Sequence, residues 1–192
     1  MTIRLGLDAS QRIASCAVAT EPGIVATSAS GKPVENFTTL IRETLLQAHV
    51  SLEEINEIVV CVGPGSQMGV RTTVATGNAL ALALGVPISG VLSVDALAAT
   101  VQEREPLRTA VSDGRGRWYV AEYNWNGDNL QRITGLQFVE DLPPDTILSC
   151  EPGCVDLDET RLCARGILLV ADQQRHLVSQ SLVEEIAPYE RG

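Results

Sequence analysis

The chain has 192 residues, 45% hydrophobic and 20% charged, enough to bury a core as one domain or two small ones. Its 24 acidic and 14 basic side chains leave a formal charge of −10, which opposes direct binding to a phosphate backbone and assigns any RNA to a partner. The opening MTIRLGLDAS lacks the apolar run of a signal peptide, and the most apolar segment, 74–91, is interrupted by Gly77, Asn78, Gly85 and Pro87, so a cytoplasmic chain with no membrane span is expected.

Ile3, Leu5 and Leu7 alternate toward Asp8 as a first strand, 15–20 reads as a second, and Glu21-Pro22-Gly23 turns into a third over 24–28. Val34, Phe37, Ile41, Leu45 and Ala48 recur at helical spacing and predict an amphipathic helix over 33–49. A short helical turn starts at Ser51. The β-branched run 57–62 predicts a strand buried on both faces, followed by the turn GPGSQMG and a helix over 70–84. A strand over 86–91 and a helix from Ser93 to about 103 complete a first unit, 1–105. The second unit, 106–192, begins with a strand at 109–112 and another at 118–125. Asn126-Gly127 signals a hairpin into 130–139. A strand over 147–150, a helix over 158–172 and a strand or extended tail over 181–189 follow. Asp113 opens the second unit much as Asp8 ends the first strand, a hint of duplicated subdomains.

The turn holds Gly63, Pro64, Gly65, Ser66 and Gly69, with Arg71 in the first helical turn. It has neither the spacing nor the lysine of a P-loop, and its third glycine falls one place late for a dinucleotide fingerprint. Its mechanical reading is that Gly63 and Gly65 allow positive φ or close approach, Pro64 sets the turn and Ser66 caps the helix. Arg71 opposes the helix dipole and hints at a carboxylate or phosphate partner. The helix that follows is apolar nearly all round, so it needs covering on both sides. Val70, Val74, Gly77, Ala79, Leu82 and Ala83, with Val34, Phe37, Ile41 and Leu45 of the earlier helix, are the candidate partner interface.

Catalytic candidates are thin. Asp8 with Ser10, and Asp113, occupy positions where an actin-like ATPase would hold Mg²⁺ and phosphate, but the glycine-threonine cluster that wraps phosphates is missing. Glu122 lies on a hairpin strand, where a carboxylate is more often solvated or paired than catalytic. His49 ends a helix and His176 stands alone. Cys16 and Cys61 lie in apolar strands and read as buried free thiols, while Cys150, Cys154 and Cys163 lack zinc spacing. No catalytic residue, metal or required cofactor is assigned, and ATP with Mg²⁺ has a place only at a subunit boundary. The alternative is a small ATPase or kinase that uses Asp8 and Asp113 with Mg²⁺.

The segment GPGSQMGVR, the small-residue helix ending in L-A-L-G-V-P-I, L-D-A-S near the start and Asp113-Gly114-Arg115 before W-Y-V-A-E-Y together resemble the bacterial TsaB (YeaZ) family over nearly the whole chain. The resemblance implies an α/β, actin-like ATPase (RNase H-like) fold of two subdomains with mixed sheets, the second truncated. It also implies a non-catalytic scaffold for threonylcarbamoyladenosine synthesis beside the tRNA anticodon. The family's partners are the catalytic paralogue TsaD and the ATPase TsaE, joined through a helical bundle that also supports a homodimer. This sequence departs from the family at Gln67-Met68, usually Phe-Thr, and in a turn after Asp113 that is one residue shorter.

Overall fold

A computed structural model describes residues 2–21, 23–30, 37–100, 107–148 and 163–173. Two sheets are separated by helices. The first has strands β1 (Arg4–Asp8), β2 (Ala14–Thr20), β3 (Gly23–Ser30), β4 (Glu57–Cys61) and β5 (Ile88–Val91) in the order β3-β2-β1-β4-β5. β1 pairs antiparallel with β2 and parallel with β4, and β4 runs parallel to β5, so the sheet is mixed. The central strands are buried along most of their length, as the β-branched run in β4 requires.

One face of this sheet carries α1 (Phe37–Ala48) and α2 (Gln67–Leu84). Leu5, Leu7, Cys16, Val18, Ile58 and Val60 pack there against Phe37, Ile41, Leu45, Val70 and Val74. The other face is covered by α4 (Cys163–Gln173), whose Ile167 and Leu168 lie over Ala17, Val59 and Cys61. The Arg4 guanidinium ties β1 to Asp172 near the end of this helix, 2.8 Å away. Helix α3 (Ser93–Thr100) lies between the layers. Its Ala96 joins the core around α4, while its Val94 and Ala98 pack on Val111, Ala121 and Tyr123 of the second sheet. That approach is close: a Cβ on Gly166 of α4 would stand 2.1 Å from the Ala96 carbonyl oxygen.

The second sheet holds β6 (Leu107–Ser112), β7 (Trp118–Asn126), β8 (Asn129–Arg132), β9 (Gln137–Val139) and β10 (Thr146–Leu148). Its order is β10-β6-β7-β8, with β9 also on β7. Both subdomains and their mixed sheets agree with the expected fold class.

Several boundaries differ from the sequence reading. Helix α2 starts at Gln67 rather than Val70, because the Ser66 hydroxyl caps it by accepting from the Gly69 amide. It closes as expected at Gly85, with φ 69°. The single strand expected over 130–139 is two: β7 is nine residues long and takes β8 at one end and β9 at the other. Between them the Thr134 hydroxyl accepts from the Glu122 amide, standing in for a ladder carbonyl. α1 ends at Ala48, and His49 takes φ 53°, a left-handed stop rather than a last-turn dipole partner. The start expected for α1 at 33, the early part of the last helix, the 181–189 segment, Cys150, Cys154 and His176 lie outside the described residues.

Candidate functional site

The glycine turn is built against the loop after β1. Gly63 has φ 90° and Gly65 φ 154°, and the Gly63–Pro64 bond is cis. A Cβ on Gly65 would sit 2.3 Å from the Ser10 carbonyl oxygen, and one on Gly69 only 1.7 Å from that of Ala9. Close backbone approach is what these glycines permit. The Ser66 amide donates to the Ser10 carbonyl at 2.6 Å, and the Ala9 amide to the Thr73 hydroxyl at 2.8 Å. On its other side the turn is held by Ser93 at the start of α3, whose amide donates to the Gly63 carbonyl and hydroxyl to that of Pro64, at 2.8 and 2.6 Å. The turn's glycines are therefore packed against the Ala9–Ser10 backbone, while Ser66, Gln67 and Met68 at the start of α2 are exposed.

The two candidate aspartates serve their own turns. Asp8 is fully buried and accepts from the Ser10 amide at 2.9 Å. Asp113 accepts from the amides of Arg115 and Arg117 at 2.7 and 3.1 Å and from the Arg117 guanidinium at 3.0 Å. Burial acts to raise its pKa, and these hydrogen bonds together with the Arg117 charge outweigh it, holding the carboxyl below its ordinary range. Among the described residues no three His, Cys, Asp or Glu side chains gather as metal ligands. Glu122 pairs with Arg108. Burial pushes the Cys16 thiol up to about 12, with a Thr44 hydrogen bond opposing it only in part, so it is a neutral core group at ordinary pH. Cys61 is buried too, its thiol 3.4 Å from the Ser10 hydroxyl.

The candidate interface divides in two. Phe37, Ile41, Leu45, Val70, Val74 and Gly77 belong to this chain's own core, because the helical stripe that looked available for a partner is the one α1 and α2 turn onto the sheet. Gly77 lies against Val60, where a Cβ would come within 2.4 Å. Ala79 and Ala83 are exposed, and Leu82 is 86% exposed. So α2 is not covered all round. Val34 lies outside the described residues. Nor do α1 and α2 pack as tight neighbours: α1 rests on β2 and β3, α2 on β1 and β4. They leave an open groove of about 390 Å³, walled by Ile41, Leu45 and Leu46 of α1, Val50 and Leu52 beyond it, and Leu80 of α2. Leu46 at its rim is 67% exposed. Arg71 is exposed and makes no ion pair with any described residue.

One buried polar cluster escaped the sequence reading. The Tyr123 hydroxyl donates to Asp95 at 2.6 Å, and Arg132 reaches both oxygens of the same carboxylate at 3.2 Å. Desolvation and the Asp95 charge raise the Tyr123 hydroxyl well above its ordinary value. These residues fasten α3 to the second sheet.

This architecture is that of an actin-like α/β protein whose outward feature is an apolar groove between two helices. A family model described as "TsaD: tRNA N6-adenosine threonylcarbamoyltransferase" matches residues 9–141. Two Pseudomonas aeruginosa structures share the fold over the whole of both chains: one described as similar to peptidase YeaZ (TM-score 0.78, 20% identity) and YeaZ itself (0.76, 19%). Among curated proteins, TsaB of Bacillus subtilis is 32% identical over 52% of this chain and 44% of its own length. TsaB of Buchnera aphidicola is 26% identical over 53% of both. The tRNA N6-adenosine threonylcarbamoyltransferase of Geotalea uraniireducens is 35% identical over 60% of this chain and 36% of its own. The chain thus spans about half the length of these curated relatives, or less. It belongs to the tRNA threonylcarbamoyltransferase family in its TsaB (YeaZ) branch.

Proposed function

We propose that this chain acts in tRNA threonylcarbamoyladenosine modification as a non-catalytic scaffold that binds a TsaD paralogue through the α1–α2 groove. The observation that carries the reading is the groove itself: an apolar trough between α1 and α2 with Leu46, 67% exposed, at its rim. Water is a poor neighbour for such a surface, and a docked helix removes it. The printed names of the relatives supply the pathway, as biosynthesis protein TsaB and as threonylcarbamoyltransferase. Asp113 supports the non-catalytic part, since it spends both oxygens on its own loop. On this reading the acidic chain meets tRNA only through its partner, the ATPase TsaE joins the assembly, and a homodimer through the same face forms when the partner is absent.

The test is sedimentation of this chain with the TsaD paralogue of the same organism. Leu46→Arg should abolish the complex while the melting temperature stays near wild type, since Leu46 is 67% exposed and outside the core. A complex unchanged by Leu46→Arg would remove the groove from the interface.

A further inference from the structure

We propose that Arg42 selects the groove's occupant: a helix of another chain that carries a carboxylate, in preference to a second copy of this chain. The inference rests on the groove being an interface, as argued above. Among the described residues, Arg42 is the one charged residue lining a trough otherwise made of aliphatic side chains, Thr38 and Thr76. It is exposed, and no carboxylate of the described residues lies within ion-pair distance. An apolar helix laid into the groove strips water from the guanidinium. A desolvated, unpaired cation is strongly unfavourable, so the occupant must bring an acceptor. A carboxylate matches the planar donor fork best.

A second copy does not meet that need. In a two-fold contact the same patch docks on itself. None of the described groove-lining residues is acidic, and α2 has no Asp or Glu from Gln67 to Leu84. The one acid of α1, Glu43, points roughly 100° around the helix from Arg42 and does not line the groove. The two helices carry Arg42 and Arg71 against Glu43, a net +1 on a chain of −10. Self-association therefore brings two unpaired guanidinium groups into one apolar seam, and like charges across an interface select against that partner.

Two assays on the full chain test this, with the TsaD paralogue as the probe. Calorimetry should show Arg42→Met weakening paralogue binding about tenfold with the wild type's salt dependence reduced, and Arg42→Glu weakening it by at least as much, with part of that loss recovered as salt rises. Sedimentation equilibrium of the chain alone should show Arg42→Met dimerising about tenfold more tightly than wild type. Unchanged binding in the first assay, or unchanged dimerisation in the second, overturns the proposal. If the wild type does not bind the paralogue at all, the partner reading of the previous subsection fails. The dimerisation assay then decides the Arg42 proposal alone: tighter pairing of Arg42→Met supports it, and equal pairing overturns it. Arg42 is exposed and outside the core, so both variants should melt with the wild type, which circular dichroism checks.

Discussion

Gly69 is the residue at which the turn's purpose is easiest to read. A methyl group there would meet the Ala9 carbonyl at 1.7 Å, so Gly69→Ala forces the β1 loop and α2 apart. The expected cost is about 1–3 kcal/mol, read as a drop in the urea midpoint, and no such drop would mean the loop yields freely. The spacing of the glycines was legible in the sequence; their opposite wall was not, because Ala9 and Ser10 lie more than fifty residues earlier. The Asp95, Tyr123 and Arg132 cluster was hidden for the same reason, its members being 28 and 37 residues apart along the chain. Tyr123→Phe leaves a buried carboxylate short of its 2.6 Å donor, at a cost of roughly 1–3 kcal/mol. The pH profile gives a second readout. Both Tyr123 and Cys16 have pKa values raised by folding, so their contribution is full below the ordinary values of 10.0 and 9.0 and is lost as pH rises above them. Wild-type stability should therefore fall from pH 9 toward 12, and Cys16→Ala should flatten the lower part of that fall. Equal slopes for the two proteins would contradict the burial of Cys16.

At the scale of elements, periodicity served well where one face meets one sheet. The 3.6-residue repeat marks α1, described over Phe37–Ala48, while α2 begins three residues before the expected Val70; most of the stripe expected as a partner surface packs into the core, with Ile41 and Leu45 also walling the groove. A sequence shows which side of a helix is apolar, and not which apolar neighbour is near enough to claim it. α2 kept the ambiguity because alanine and leucine occupy both its sides. The consequence is a sharp contrast between its two faces. Val74→Arg places a charge at a 9% exposed site and should unfold the chain, whereas Ala79→Arg, on the exposed face, should shift stability by less than about 1 kcal/mol. Thermal melts of the pair check this, and similar melting temperatures would mean the two faces were assigned wrongly. The hairpin was equally legible, although its two-residue loop is Gly127-Asp128 rather than Asn126-Gly127, with Gly127 at φ 65°. The break between β8 and β9 was not, since it depends on a side-chain hydroxyl of Thr134 replacing a backbone group.

Across the whole molecule, the layers are joined through α3, which touches the glycine turn at Ser93, α4 at Ala96 and the second sheet at Asp95. The loop after β1 packs against the glycine turn, and the open apolar groove lies on the outer helices α1 and α2. The proposed scaffold role makes this groove, rather than a catalytic centre, the chain's contribution. The most direct measurement is reconstitution: the TsaD paralogue and TsaE of the same organism with tRNA, threonylcarbamoyl-adenylate and ATP, and modified adenosines counted with and without this chain. Modification should rise when the wild-type chain is added and not with Leu46→Arg, whose side chain lines the groove. Modification that proceeds equally without the chain, or is restored equally by Leu46→Arg, would contradict the scaffold role.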